Sequence, residues 1–531
     1  MKTFALLVAL CLATFLAIPE VTGETEPDMA PDLGEPELLD LENRQEIPLT
    51  LAAALQLALK NNLSIAIERV NPEISEQQII QEESVFDPTA SAILSKDRSV
   101  RQTSSALALP PRNQTENIDW DAGLSKGWVT GTETDLRFTN NRTDTNSSFA
   151  GLNPAYASDL VLSLTQPLLK DFGIGVNKTG IRIAANNKAI SESQFRDSVM
   201  AVLLDTETAY WELVYALEAL QVNRESLRLA EDFLKITERK VEVGILAPVE
   251  ILQADTERAA REEGVITAEG ALRDAEDRLR NLLNLSEDTR YWDVRLLPID
   301  APVLVDETSG LDQALSEAVE KRPDFQQARI DLENRNIQLK YSRNQALPRI
   351  DLVASLGVSG LAGDAQAVVQ GTADPVFSPF DGNYSDTLEE LKSKDNYNYT
   401  IGLQVEYPLG NRYAKSETVV AALEKQKALL ALKDLENRIV REVREAHRRI
   451  ETNRKRVAAA EVARRLAEER LRTETRRFEL GLATSHDVLE YQEKLAVARS
   501  SELRARIDYR ESLVHLEQVK GTLIETKGIT L

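Results

Sequence analysis

Two carboxylates, Asp487 and Glu490, are the side chains of this 531-residue sequence best placed to do chemistry. They stand three residues apart, so on a helix they share one face. Repeated around a symmetry axis, such a pair makes a charged ring that draws cations and resists anions. At the start of a single helix the same acids simply favour the helix dipole. Nothing around them looks enzymatic. His447, His486 and His515 are scattered, and no HExxH, GxSxG or P-loop pattern is present. His486 adjoins Asp487, where a pH-sensing role is conceivable, but one neighbouring acid is not a catalytic constellation. The single cysteine, Cys11, lies in the N-terminal segment, so the mature chain is expected to have no disulfide, thiolate metal site or Cys nucleophile. No enzymatic activity, metal or cofactor is expected. The net charge of −23 repels phosphate backbones, so nucleic acid is not expected as a partner. Arg448 and Arg449 do not change this, because Glu442, Glu445 and Glu451 are interleaved with them.

The elements that hold the acids are long helices. Aromatics are 5% and charged residues 28%, a composition of extended helix rather than compact mixed domains. From Thr179 to Val243 there is no Pro and only Gly180, a run of about 98 Å at ~1.5 Å per residue. Val199, Val202, Leu203, Tyr210, Leu213, Val214, Leu217 and Leu220 form a seam of coiled-coil type along it. The stretch from Tyr413 to Leu480 also lacks Pro and Gly, and carries Glu445–Arg449, Glu461–Arg465 and Glu468–Arg472 in the favourable order. Gly244 and Gly481 suit left-handed turns that reverse the chain, and Pro248 fits the first turn of the helix that follows. Each long helix thus belongs to an antiparallel hairpin, with tips at 244–249 and 481–486.

The chain reads as a two-fold repeat. Ala54–Ala58 recurs at Ala314–Ala318, the segment around Pro88 at Pro348, that around Pro167 at Pro408, and KVEVGILAPVEILQA (Gly244) at RFELGLATSHDVLEY (Gly481). Residues 47–300 are assigned to repeat 1, with strands at about 88–166 and a helical hairpin at about 179–286; residues 301–531 are assigned to repeat 2, with strands at about 348–407 and a hairpin at about 412–526. Ahead of both, Lys2 and the apolar run Phe4–Ile18 form a signal peptide, residues 1–23, with cleavage expected after Gly23. Residues 24–46 are an acidic, proline-broken linker expected to be disordered. No other segment approaches ~18 consecutive apolar residues.

The strands alternate. Tyr397, Tyr399, Ile401, Leu403, Val405 and Tyr407 face one way; Asn398, Thr400, Gly402, Gln404 and Glu406 face the other. Residues 352–359 and 160–165 alternate likewise, and 89–97 more weakly. The first half has about 19 additional residues, read as an extra hairpin at 118–125 and 132–139 whose membrane crossing is left open. Four core strands cannot close in lipid, where unpaired edges cost several kcal/mol per group. Three copies would give about 12 strands, continued by a helical tube of roughly 100 Å. Alternation alone leaves a soluble sheet packed on the helices equally open.

This organisation resembles the TolC-like outer-membrane efflux and secretion channels. The residues that carry the likeness are LTQPLL (Leu164–Leu169) and the tips VGILAPVEI (Val243–Ile251) and LGLATSHDV (Leu480–Val488). The resemblance implies a mainly α fold with a membrane β-barrel: a duplicated protomer whose homotrimer forms a 12-stranded barrel continued by a long periplasmic α-helical barrel. It implies outer-membrane lipid as surroundings, and a periplasmic adaptor and an inner-membrane pump as partners. It assigns Asp487 and Glu490 as pore-gate acids, with Glu250 and Gln253 as their first-repeat counterparts. Gly244, Ile245, Gly481, Leu482 and Thr484 become candidate adaptor contacts. A Tyr and an Arg that lock the closed state in some members align with Phe478 and Ala483, so closure here is expected to rest on apolar packing. The leading function is a passive exit duct for small amphipathic compounds in a tripartite efflux system. A protein-secretion channel of the same fold and a soluble periplasmic coiled-coil scaffold are the alternatives.

Overall fold

Local capping sets the first elements. The computed structural model describes residues 46–102, 110–285, 294–303, 310–368 and 376–530. The expected signal peptide, Cys11 and the linker up to residue 45 lie outside these. Glu46 begins a four-residue strand, β1 (Glu46–Leu49). Thr50 then accepts a hydrogen bond from Ala53 N and starts α1 (Leu51–Asn61). Asn62 caps α2 (Leu63–Glu83) through the amides of Ser64 and Ile65. Four strands follow, β2 (Thr89–Gln102), β3 (Arg112–Gly127), β4 (Glu133–Thr145) and β5 (Leu152–Pro167), then the long helix α3 (Thr179–Glu242) and its return α4 (Val249–Leu282). After β6 (Arg295–Pro298) the plan repeats: α5 (Leu311–Lys321), α6 (Pro323–Gln345), β7 (Arg349–Ala365), a short helix α7 (Tyr384–Ser393), β8 (Tyr397–Glu406), α8 (Arg412–Glu479) and α9 (Ser485–Lys520). The paired helices have closely matched lengths, 64 and 68 residues for α3 and α8, and 34 and 36 for α4 and α9.

The seam read along α3 is buried, with Val199, Leu203, Tyr210 and Leu213 fully enclosed. It packs with Leu49 and Leu55, with Leu279 of α4 and Leu283 just past its end, and with Ile507 of α9. Here β1 pairs in parallel with β6 and ties the start of the first repeat to its end. Tyr210 anchors the junction: its hydroxyl donates to Asp300 Oδ2 at 2.7 Å and lies 3.0 Å from Leu49 O. Burial and the Asp300 bond push the phenol pKa up, so it stays protonated.

Nearby on α9, Glu511 is held in an unfavourable place. Burial pushes its pKa from 4.5 up to about 7, opposed by Arg504 and reinforced by Glu212 and Asp508. Its Oε1 is buried without a hydrogen-bond partner. The folded chain therefore binds this proton more tightly than the unfolded chain. The stabilisation is fully present below pH 4.5 and is lost as pH rises through about 7. Glu511→Gln is expected to raise stability at pH 8 by about 1 kcal/mol, allowing for partial solvent screening. Thermal unfolding of both proteins at pH 4 and pH 8 checks this: the difference should vanish at the lower pH.

The sheet holds six strands in the order β2-β3-β4-β5-β7-β8, every neighbouring pair antiparallel. This corrects the expectation of four core strands. The extra hairpin is β3–β4, and it is hydrogen-bonded into the sheet on both sides, between β2 and β5. Register puts Ala90, Leu124, Leu136, Leu162, Leu356 and Tyr399 in one transverse row, and Ala92, Ala122, Phe138, Leu160, Val358 and Tyr397 in the next. The opposite face is mostly polar or small, with Val161 an exception in the row Ser91, Gly123, Arg137, Val161, Gly357 and Asn398. The apolar face is not covered by the helices. Leu162 is 48% exposed, Leu356 55% and Ile401 72%. Above this belt, on the same face, α7 crosses the sheet. Its Tyr384 hydroxyl donates to Asn140 Oδ1 at 2.9 Å and accepts from Trp120 Nε1 at 3.3 Å. Among the described residues no helix is long and apolar enough to cross a membrane.

Candidate functional site: the helical tips

Both hairpin tips lie together, at the end of the helices away from the sheet. α3 and α8 place them roughly 100 Å along the helix axes from the strands. Each reversal uses a glycine in the left-handed region, Gly244 at φ 76° and Gly481 at φ 74°. Gly244 N bonds Val241 O at 2.9 Å and Gly481 N bonds Phe478 O at 3.1 Å, so the spent helices end in closed turns. No atom lies within 4 Å of a Cβ built at either glycine. The backbone conformation, not crowding, selects glycine there. Ile245 and Leu482, each just past its glycine, are 69% and 66% exposed.

Thr484 and Asp487 serve the helix first. They form a reciprocal capping box at the start of α9: Thr484 N donates to Asp487 Oδ2 at 2.8 Å, and Asp487 N to Thr484 Oγ1 at 3.3 Å. The Thr484 hydroxyl also donates to Asp487 Oδ2 at 2.7 Å. These bonds hold the Asp487 pKa below the usual carboxylate range. Glu490 pairs with Lys494 at 2.6 Å, which lowers its pKa as well. The Asp487 charge pushes the Glu490 pKa up, but the bond to Lys494 and its charge outweigh it. Both acids lie on the face of α9 opposite Ser485, Val488 and Leu489, which turn into the tip core. Of the first-repeat counterparts, Glu250 contacts the Ser485 hydroxyl and so joins one tip to the other. Gln253 is exposed.

A small apolar core fastens the two tips: Phe233, Ala254, Phe478, Val488 and Leu489, with Leu246 and Ala483 at its margin. The Phe233 and Phe478 rings are 5.2 Å apart, and Lys240 Nζ sits 3.7 Å over the Phe478 ring. Both positions aligned with the polar lock, Phe478 and Ala483, are therefore packing residues. One polar contact was not read from the sequence. Glu474 is almost fully buried, bonded to Arg470 at 3.2 Å and Arg477 at 2.9 Å, and Arg470 also reaches Tyr491 at 3.2 Å. The 470/474/477 spacing carries that signal, since residues three and four apart meet on a helix. His486 is exposed, while His447 and His515 lie far up the helices. Burial, then Arg449, lowers the His515 pKa.

The model of the outer membrane efflux protein family matches residues 54–285 and 314–522, one block in each repeat. The chain belongs to that family. Among curated members it is similar to the outer membrane protein TolC of Vibrio cholerae, 23% identical over 339 residues that span 63% of this chain and 71% of that protein. It is also similar to TolC of Escherichia coli, 21% identical over 64% of this chain and 66% of that protein. Among solved structures, the Campylobacter jejuni CmeC outer membrane channel shares the fold at a TM-score of 0.64 and 17% identity, covering 91% of this chain and 87% of that one. Membership of the outer membrane efflux family places the protein in the outer membrane.

Proposed function

We propose that this chain is the passive outer-membrane duct of a tripartite efflux system, working as a homotrimer. An inner-membrane pump would expel small amphipathic compounds through a periplasmic adaptor docked at the tips. The observation that carries the reading is the six-strand sheet, apolar and uncovered on one face and polar on the other, with both edges open. A soluble scaffold would bury such a belt against its own helices. In lipid the apolar face is satisfied, and the open edges require other copies of the chain. The helices would then cross the periplasm and present Gly244, Ile245, Gly481, Leu482 and Thr484 at their far end. Exposed Ile245 and Leu482 suit an apolar contact with the adaptor.

Asp487 and Glu490 turn away from the tip core, and we place them toward the axis of the tube, six carboxylates to a ring. Their lowered pKa values keep this ring charged at neutral pH. Planar-bilayer recording tests it. The purified protein should give discrete, cation-selective conductance steps. Asp487→Ala with Glu490→Ala should reduce the cation preference several-fold, because Lys494 loses its counter-charge as well. Unchanged selectivity in the double variant would remove the gate assignment.

A further inference from the structure

We infer that the β3–β4 hairpin is part of the barrel wall and that the free edges β2 and β8 are the seam between copies, so three chains close a barrel of 18 strands rather than 12. This rests on the homotrimeric channel reading and fixes its outer end. Four observations carry it.

The first is sense. Six strands alternate in direction without a break, so β8 of one copy meets β2 of the next antiparallel, as every neighbouring pair within the chain does. The second is the β8 edge. Soluble proteins blunt an edge strand with lysine, proline or a bulge. β8 has none of these, and its Tyr397, Tyr399, Ile401, Leu403 and Val405 are all 66–72% exposed.

The third is tilt. Thr89, Ser125, Asp135, Ser163, Ser355 and Thr400 form one transverse row. At the helix end the strands stop at Thr89, Gly127, Glu133, Pro167, Arg349 and Glu406. The overhang beyond that row thus grows steadily across the sheet to six residues at β7 and β8. A six-residue climb is about 20 Å, against about 24 Å for five inter-strand steps, so the strands incline by about 40°. Closed barrels need that inclination, and β3 and β4 fall on the same slope as the rest. A hairpin lying off the wall would interrupt it.

The fourth is fit across the seam. The apolar face carries even residues on β2 and odd residues on β8, so even must oppose odd. Aligning the helix-end residues, Thr89 with the partner's Glu406, meets this condition. Ala90, Ala92 and Leu94 then oppose the partner's Val405, the partner's Leu403 and the partner's Ile401, continuing the belt. Lys96 and Arg98 come beside the partner's Tyr399 and the partner's Tyr397, where a cation over a ring is favourable. Ile93, 60% exposed on the mostly polar face, comes opposite the partner's Gly402, beside which there is open space.

Eighteen strands at this tilt make a wall about 36 Å across between backbones, against about 24 Å for twelve. The outer mouth is then of porin width, and the narrow point of the duct lies at the tips. Electron microscopy of the full chain in lipid nanodiscs tests this by counting strands around the barrel. A three-fold ring of 18 strands with β3 and β4 in the wall is the expected result. A three-fold ring of 12 with the hairpin outside it would overturn this inference and leave the channel reading standing. Any other symmetry, or no ring, would overturn both. A spin label provides a second readout. At Leu136→Cys it should be relaxed by oxygen from the lipid, and at Arg137→Cys by a water-soluble nickel chelate. Equal access of the chelate to both positions would also overturn the inference.

Discussion

Arginine at Leu162 is expected to stop the protein from accumulating in the outer membrane, whereas arginine at Ser163 should leave assembly intact. The two positions are adjacent on β5 and point to opposite faces. Leu162 is flanked in register by Leu136 and Leu356, in the middle of the exposed apolar belt. Ser163 lies between Asp135 and Ser355 on the polar face. An arginine at the lipid midplane costs about 2–4 kcal/mol, and a trimer carries three of them. That total is comparable to the whole stability of many domains. On the polar face the guanidinium meets water and Asp135. Immunoblotting of outer-membrane fractions checks both: L162R should fall to a few per cent of the parent level and S163R should match it. Equal levels would mean that the belt does not face lipid.

The second large effect is expected at the tip core. Phe478 is 5% exposed, packed with its ring tilted against Phe233 and covered by Lys240. Phe478→Ala removes a buried ring, at about 3–5 kcal/mol, and with it a ring pair and a cation–π contact. The core joins α3 and α4 to α8 and α9, so the loss separates the two tips instead of unfolding the long helices, whose packing lies elsewhere. Opening of the tips should become roughly a hundred to several thousand times more frequent, since 1.4 kcal/mol is a factor of ten. Hydrogen exchange over residues 230–255 and 471–492 reads this directly. Protection should drop there and persist around Tyr210 and Trp211. The resting conductance should rise in parallel.

Much of this was legible in the sequence. An uninterrupted run without Pro or Gly has few alternatives to a long helix, and a glycine at its end followed by a second such run has few alternatives to a hairpin. β5, β7 and β8 alternate cleanly because their apolar residues are bulky. β3 and β4 were visible as a hairpin, but not as wall strands. Their apolar stretch is short and flanked by Asn117, Asp119, Arg142 and Asp144, which extend beyond the belt. Their place emerges only from hydrogen bonds to β2 and β5. The helix α7 announced itself only by a local capping box, Asn383 with Asp386. In the tip, the glycines and Asp487 carried a local signal. Phe233 and Phe478 did not, because residues 245 apart in sequence meet only when two hairpins pack side by side. Asp487 also shows how one residue serves two readings: its carboxylate caps α9 and is still presented on the outer face of the helix.

The central claim is that one chain supplies only a segment of a pore wall and that sister copies complete it. Disulfide trapping across the seam tests it most directly. The sole natural cysteine, Cys11, lies in the expected signal segment, so replacing it as well as introducing Ala92→Cys and Leu403→Cys leaves only the engineered pair. Mild oxidation in intact outer membranes should yield a ladder of covalent dimer and trimer, ending at the trimer, with no product from either single variant beyond a trace of dimer. Oxidation that left only monomer, or closed the pair within one chain, would contradict the account.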